Sequence, residues 1–173
     1  MLLAIVAQRR TATNVAIAAA APRGVDARIV SPAQAVALVQ GEAVALGRID
    51  VSDGLDGPED GLWALGTLAA RGVGVLNRAG ALLAAHDKWL TARVLGRACL
   101  PHPRTAILHP GDHPPEWDGP VVVKPRFGSW GRDVELCEDE VSLRRHLRAL
   151  ESRLWFRQPG ALPQELGPTG GFD

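Results

Sequence analysis

The chain carries 19 basic residues, Lys and Arg together, and only two of them, Lys88 and Lys124, are lysines. Where arginine does nearly all the basic work, a lysine at a defined place in the pattern carries information. Lys124 ends the β-branched run Val121-Val122-Val123, and the loop Gly128-Ser129-Trp130-Gly131 follows closely. An unpaired ammonium inside an apolar strand is costly. A bound phosphate would offset that cost. Gly128 and Gly131 permit positive φ and close backbone approach, so loop N–H groups can face a polyphosphate beside the lysine. The spacing does not match GxxxxGK[ST], which excludes a Walker-type loop. The plainer alternatives are a lysine on an edge strand or in a structural ion pair, with glycines that serve hairpin geometry alone.

Lys88 sits in His86-Asp87-Lys88. Asp87 suits the N-terminus of a helix, where the dipole favours negative charge. The same dipole disfavours Lys88 in the first turn. Either another group holds it there, or it is an exposed first-turn side chain.

Other chemistry-bearing residues lead to less. His102, His109, Asp112 and His113 lie among prolines, with no helix to fix ligand spacing, and read as loop residues rather than a metal cluster. Glu138, Asp139 and Glu140 read as an acidic first turn. Cys99 and Cys137 form no CxxC pair and are too few for a disulfide framework. Both are expected to be small buried apolar residues. Of the five tryptophans, Trp63, Trp89, Trp117 and Trp155 are expected in the core or anchoring loops. Trp130, at a glycine-loop tip, is the exception and is expected to shield a ligand.

The elements that must position these residues follow from hydrophobic pattern and punctuation. Residues 2–6 read as a buried parallel strand. Thr11, Thr13 or Asn14 can cap the Ala-rich helix after it. Residues 27–30 form a second strand, and Ser31-Pro32 opens a helix that runs to about Gln40. Strands at 43–46 and 73–76 flank a helix that ends at Arg71 before Gly72. This alternation predicts a small parallel sheet with helices on its faces. A second unit begins near Asn77. Its expected elements are a helix over 85–98, a strand over 104–108, and strands at Val121 and Val134 around the glycine loop. An amphipathic helix over 138–150 should point Val141, Leu143, Leu147 and Leu150 inward. Short strands are expected at 154–156 and 161–166, the second weakened by Pro163.

Composition narrows the classes. At 173 residues with 46% apolar and 22% charged residues, the chain is an ordinary globular one. Net charge is zero, so no basic field is available to hold a nucleic-acid backbone. Residues 1–7 are too short for a membrane span and precede Arg9 and Arg10, the reverse of a secretory signal. A cytoplasmic protein without membrane or nucleic-acid partners is expected.

Taken together, Asn77 to Lys88, Leu100-Pro101-His102-Pro103-Arg104-Thr105, Val122-Val123-Lys124-Pro125 with Gly128-Ser129-Trp130-Gly131, and Gln164-Glu165 resemble the ATP-grasp superfamily, nearest its RimK-like carboxylate–amine ligases. The wording Gly-Ser-Trp-Gly-Arg is similar to the branch that holds the lysine-biosynthesis ligases. The likeness covers most of residues 73–173. It implies an α/β chain: a Rossmann-like pre-ATP-grasp domain over 1–78, then the N-terminal α+β half of an ATP-grasp domain over 79–173. It implies that Lys88 and Lys124 bind the phosphates of ATP and that residues Gly128, Ser129, Trp130 and Gly131 fold over them. Glu165 and Leu166 would lie on the hinge strand at the adenine edge, and Asp173 near the ribose hydroxyls.

The reaction implied is ligation through an acyl phosphate, with Mg²⁺ and cations neutralising charge. The substrates would be a carboxylate and an amine of unspecified identity. The family's metal ligands, and an arginine just past Asp173, follow the position where this chain stops. The expectation is therefore half a nucleotide site, without catalysis by this chain alone and with self-association through apolar surface near 154–166. Two other readings stay open: a non-catalytic nucleotide-binding or interaction module, and a Rossmann-like domain with incidental lysines.

Overall fold

The structure is a computed structural model and describes residues 1–167. Asp173, expected near a ribose, lies outside the described residues. The chain divides into two compact units. The first comprises Met1–Asp50 and Pro58–Ala85, and the second Val51–Gly57 with the chain from His86 onward.

The first unit is a parallel sheet of β1 (Leu2–Val6), β2 (Asp26–Val30), β3 (Val44–Gly47) and β4 (Gly74–Leu76), in the order β2-β1-β3-β4. Ile5 stands opposite Ile29 on one side and Leu46 on the other. Helices α1 (Ala12–Ala19), α2 (Pro32–Leu38), α3 (Leu62–Ala70) and α4 (Ala79–His86) connect or follow the strands. Thr11 is the cap of α1. Ser31 caps α2 with a full capping box to Gln34, and Pro32 occupies its first turn, where a missing N–H costs nothing. Ala4, Val6, Val39, Ala45, Ile49, Leu65 and Leu68 form the core. Each fully buried leucine contributes about 1.5–3 kcal/mol.

The second unit holds a three-stranded antiparallel sheet, β6-β5-β7, made of β5 (Val121–Pro125), β6 (Glu135–Cys137) and β7 (Ala161–Glu165). Helices α5 (Lys88–Arg97), α6 (Glu140–Leu150) and α7 (Leu154–Arg157) complete it. Val121 and Val123 pack with Leu143, Leu147 and Leu150 of α6 and with Trp155 and Phe156. Val122 and Lys124 alternate to the other face of β5 and are half-buried. Among the described residues, no helix is long and apolar enough to cross a membrane.

Several expectations are corrected. The single helix over 85–98 is two, α4 and α5, because Asp87 takes an extended conformation and caps a fresh start. Residues 104–108 form only two isolated bridges, Thr105 to Gln164 and Leu108 to Ala161. The Ala106 N–H reaches Pro163 O at 3.0 Å, but Pro163 has no N–H to return, so the ladder breaks there. Residues 154–156 are helical, not extended, and a helical turn buries the adjacent Trp155 and Phe156 together. A strand would send them to opposite faces. Val141 is exposed, since it sits two positions from Leu143 and faces away from the stripe Leu143, Leu147 and Leu150. Cys137 is buried but Cys99 is exposed, just past α5. Trp63 is half exposed rather than core. Of the 154–166 stretch, Leu154 and Leu166 are exposed, while Trp155, Phe156, Ala161 and Leu162 are buried.

Candidate functional site

Lys124 stands on the central strand of its sheet, not on an edge. Its register partner on β7 is Leu162, and Gln164 lies two residues further along the same face. Across that diagonal the Lys124 Nζ donates to Gln164 Oε1. The Gln164 Nε2 in turn donates to Thr105 Oγ1 at 2.8 Å.

Lys88 reaches the same region through the start of α5. The Asp87 carboxylate accepts the N–H groups of Trp89 and Leu90, each at 3.1 Å. It also receives Arg126 in a fork, Nε to Oδ1 at 2.8 Å and Nη2 to Oδ2 at 2.5 Å. The Lys88 N–H adds a bond to Arg126 O at 3.2 Å. Arg126 is two residues past Lys124, so this clamp fixes the helix start beside the end of β5. The Lys88 Nζ then donates to Gly128 O at 2.7 Å. The glycine loop is thus tied to one of the two lysines.

The loop itself is unusual in backbone. Gly128, Trp130, Gly131 and Asp133 all have positive φ, with Trp130 at 61°. For a bulky residue that conformation is an outlier. Trp130 is also 93% exposed. Its indole stands in solvent rather than packed.

Direct salt-bridge partners are missing from both ammonium groups among the described residues; each meets a neutral carbonyl-type oxygen. Asp87 is committed to Arg126. Burial, and then the nearby charge of Lys124, push Lys88 down to about 8, against a smaller upward pull from Asp87. Burial also lowers Lys124. Two half-buried ammonium groups, one in the field of the other and each hydrogen-bonded to a neutral oxygen, can attract an anion.

Lys88 has a linked effect on stability. Its folded pKa lies near 8 against an ordinary 10.5, so the folded state binds the proton less well than the unfolded chain. The penalty is full below pH 8 and is relieved as pH rises from 8 toward 10.5. Wild type should therefore gain denaturation midpoint between about pH 7.5 and about pH 9.5, relative to Lys88→Met. Equal pH dependence in the two proteins would remove the burial argument for Lys88.

The other expected site residues fall as follows. Glu165 is on β7, its N–H donating to Arg104 O at 2.9 Å and its carboxylate accepting the Arg104 N–H at 3.3 Å. The Leu166 N–H donates to Pro120 O at 3.1 Å. Ser129 is exposed and its carbonyl closes a turn onto the Arg132 N–H at 3.4 Å. Among the described residues, no group of three or more His, Cys, Asp or Glu side chains could hold a metal ion. Asp112 instead accepts the His109 N–H at 2.7 Å, a turn bond. The sequence pattern did not reveal Arg126, Gln164 or Thr105 as parts of the site. Thr105 and Gln164 stood only within the stretches that carry the resemblance, with no role given to either.

No family model matches the chain. Among solved structures it is similar to a RimK domain ATP-grasp protein from Sphaerobacter thermophilus, at 24% identity and a TM-score of 0.59 over 97% of this chain and 65% of that one. It is similar also to D-alanine–D-alanine ligase from Bacillus anthracis in complex with ATP, at 15% identity and a TM-score of 0.66 over 98% of this chain and 60% of that one. A third is N5-carboxyaminoimidazole ribonucleotide synthetase from Thermus thermophilus, at 16% identity and a TM-score of 0.61 over 97% of this chain and 41% of that one. The fold is the ATP-grasp fold over the part the chain spans, which is about 41–65% of the length of these three structures.

Proposed function

We propose that this chain carries the phosphate-binding part of an ATP-dependent carboxylate–amine ligase of RimK-like type. The observation that carries the proposal is that Lys88 lies in the field of Lys124, with neither ammonium in a salt bridge among the described residues and Lys88 bonded to the glycine loop. A polyphosphate supplies the negative charge that both ammonium groups lack. The ATP-grasp fold supports the nucleotide as the ligand, and one of the similar structures was solved with ATP.

In the reaction proposed, a substrate carboxylate oxygen attacks the γ-phosphorus of ATP, the bond from that phosphorus to the β–γ bridging oxygen breaks, and ADP leaves behind an acyl phosphate. An amine then attacks the carbonyl carbon and phosphate leaves. Such chemistry depends on positioning and charge neutralisation. Lys124 would hold phosphate oxygens from a rigid strand. Lys88 would exchange its bond to Gly128 O for one to phosphate and so couple ligand entry to loop rearrangement. Trp130 would cover the nucleotide once the loop closes. Mg²⁺ enters only as the ion that accompanies ATP, and no step here is assigned to it.

The test is a titration with ATP, ADP and AMP, read by Trp fluorescence. Affinity should fall stepwise as the γ- and β-phosphates are removed. Equal affinity for AMP and ATP, or no binding of any of them, would sink the proposal. A non-catalytic nucleotide-binding module would bind in the same order. The two readings separate in a protein that carries the rest of the ATP-grasp fold, which this chain spans only in part: phosphate release there on adding carboxylate and amine pools marks the ligase, and its absence marks the binding module.

A further inference from the structure

We propose that Gln164 is the positioning residue of this phosphate site: its amide, oriented by Thr105, holds the Lys124 ammonium with a neutral oxygen and leaves the positive charge free for phosphate. The inference rests on the nucleotide reading above and deepens it.

The relay of hydrogen bonds begins at Thr105. Thr105 Oγ1 donates its proton to Pro103 O at 2.9 Å. A hydroxyl has one proton, so toward Gln164 it can only accept. Gln164 Nε2 is the donor it accepts from, at 2.8 Å. That settles the orientation of the amide, and Oε1 is what faces Lys124. With the amide reversed, an NH₂ group would meet an ammonium and neither could accept. The polarity of the whole relay is thus set by a backbone carbonyl, Pro103 O.

The relay is also braced. Thr105 and Gln164 form a bridge. On either side of it, Ala106 N–H donates to Pro163 O at 3.0 Å and Glu165 N–H donates to Arg104 O at 2.9 Å. The bridge sets the two residues opposite each other, so their side chains leave the backbone as neighbours. Its chemistry matters as much as its place. A carboxylate at position 164 would bond Lys124 at least as well, but it would cancel the charge that phosphate needs. A hydrocarbon would leave the ammonium half-buried and unfixed. A primary amide does neither.

Because Lys88 and Lys124 are the only lysines, lysine-selective ¹⁵N labelling gives just two ammonium signals. The full chain, Gln164→Glu, Gln164→Leu, Thr105→Val, Thr105→Ser and Lys124→Met are compared by those signals and by ATP titration. We expect Thr105→Ser to match wild type, since it keeps the hydroxyl. Thr105→Val and Gln164→Leu should broaden or shift the Lys124 ammonium signal and weaken ATP binding about three- to tenfold. Gln164→Glu should keep a hydrogen-bonded Lys124 signal yet weaken ATP binding about tenfold or more. A residue that merely stabilises the fold would not separate the signal from the affinity in this way. If Lys124→Met weakens binding while Gln164→Glu and Thr105→Val stay within about twofold of wild type, this proposal falls and the nucleotide reading stands. If wild type does not bind ATP, or Lys124→Met binds as well, both fall.

Discussion

Lys124→Met lowers the affinity of the chain for ATP by about ten- to a hundredfold, the largest loss expected from any single change at the site. A hydrogen bond to a charged partner is worth about 1.5–3 kcal/mol, and each 1.4 kcal/mol or so is a factor of ten. Lys124 earns the upper part of that range because its backbone is paired with β7 at Leu162 and its ammonium is already held by Gln164, so little ordering entropy is lost on binding. Lys88→Met should lose less, since Lys88 must first give up Gly128 O. Misfolding does not explain the loss in advance. Removing Lys124 strands Gln164 Oε1 at about 1 kcal/mol, but it also relieves a half-buried charge beside Lys88. These oppose each other, and the denaturation midpoint should move little. Lys124→Arg should not restore binding, because a planar fork on a longer stem does not replace a compact ammonium. Calorimetric titration of the variants checks the order. An affinity for Lys124→Met within about threefold of wild type would take Lys124 out of the site.

The sequence was informative where local pattern and chemistry coincide. The run Val121 to Lys124 with its glycines marks a strand, a cation and a loop within twelve residues, and all three are found there. Ser31-Pro32 and Asp87 are local signals too, and both cap helices. What stayed hidden is long-range. Asp87 and Arg126 are 39 residues apart, Gln164 and Thr105 are 59 apart, and Lys88 and Gly128 are 40 apart. No spacing rule joins them; only the antiparallel register of β5 with β7 and the docking of α5 against the end of β5 do. The misread elements share a cause. Leu154 to Phe156 is a short apolar run that fits strand or helix equally, and residues 104–108 pair with β7 only as two separate bridges, one on each side of Pro163. Val141 was counted inward because an apolar residue next to a stripe was taken as part of it, although two positions rotate it away.

The same long-range clamp makes Asp87→Ala the most destabilising substitution expected in the second unit. Asp87 is 4% exposed and does two jobs, capping α5 and receiving both arms of Arg126. Losing a cap costs about 1 kcal/mol. Breaking a buried pair leaves an uncompensated charge, at 3–5 kcal/mol when both partners are fully buried. The Arg126 side chain keeps 28% exposure, so water recovers part of that, and a total of about 3 kcal/mol is the reasonable expectation. Asp87→Asn keeps a good cap and loses the charge, and it should fall between Ala and wild type. A double-mutant cycle with Arg126→Met isolates the pair. A coupling below about 0.5 kcal/mol would show that the clamp is geometry without energy. The pH dependence has a definite sign. Burial pushes the Asp87 carboxyl up, but Arg126 and the Leu90 and Trp89 N–H groups outweigh it, and the net shift is downward. Its contribution is therefore full above the ordinary carboxylate range and lost as pH falls below it. Asp87→Ala should be destabilised at neutral pH and approach wild type in acid. Function should follow stability here, because Lys88 is the next residue and has no other anchor of comparable strength. Asp87→Asn, still folded at 25 °C or so, should bind ATP more weakly than wild type at a pH where both are native. If its affinity is unchanged, the clamp serves the fold alone and Lys88 finds the phosphates without it.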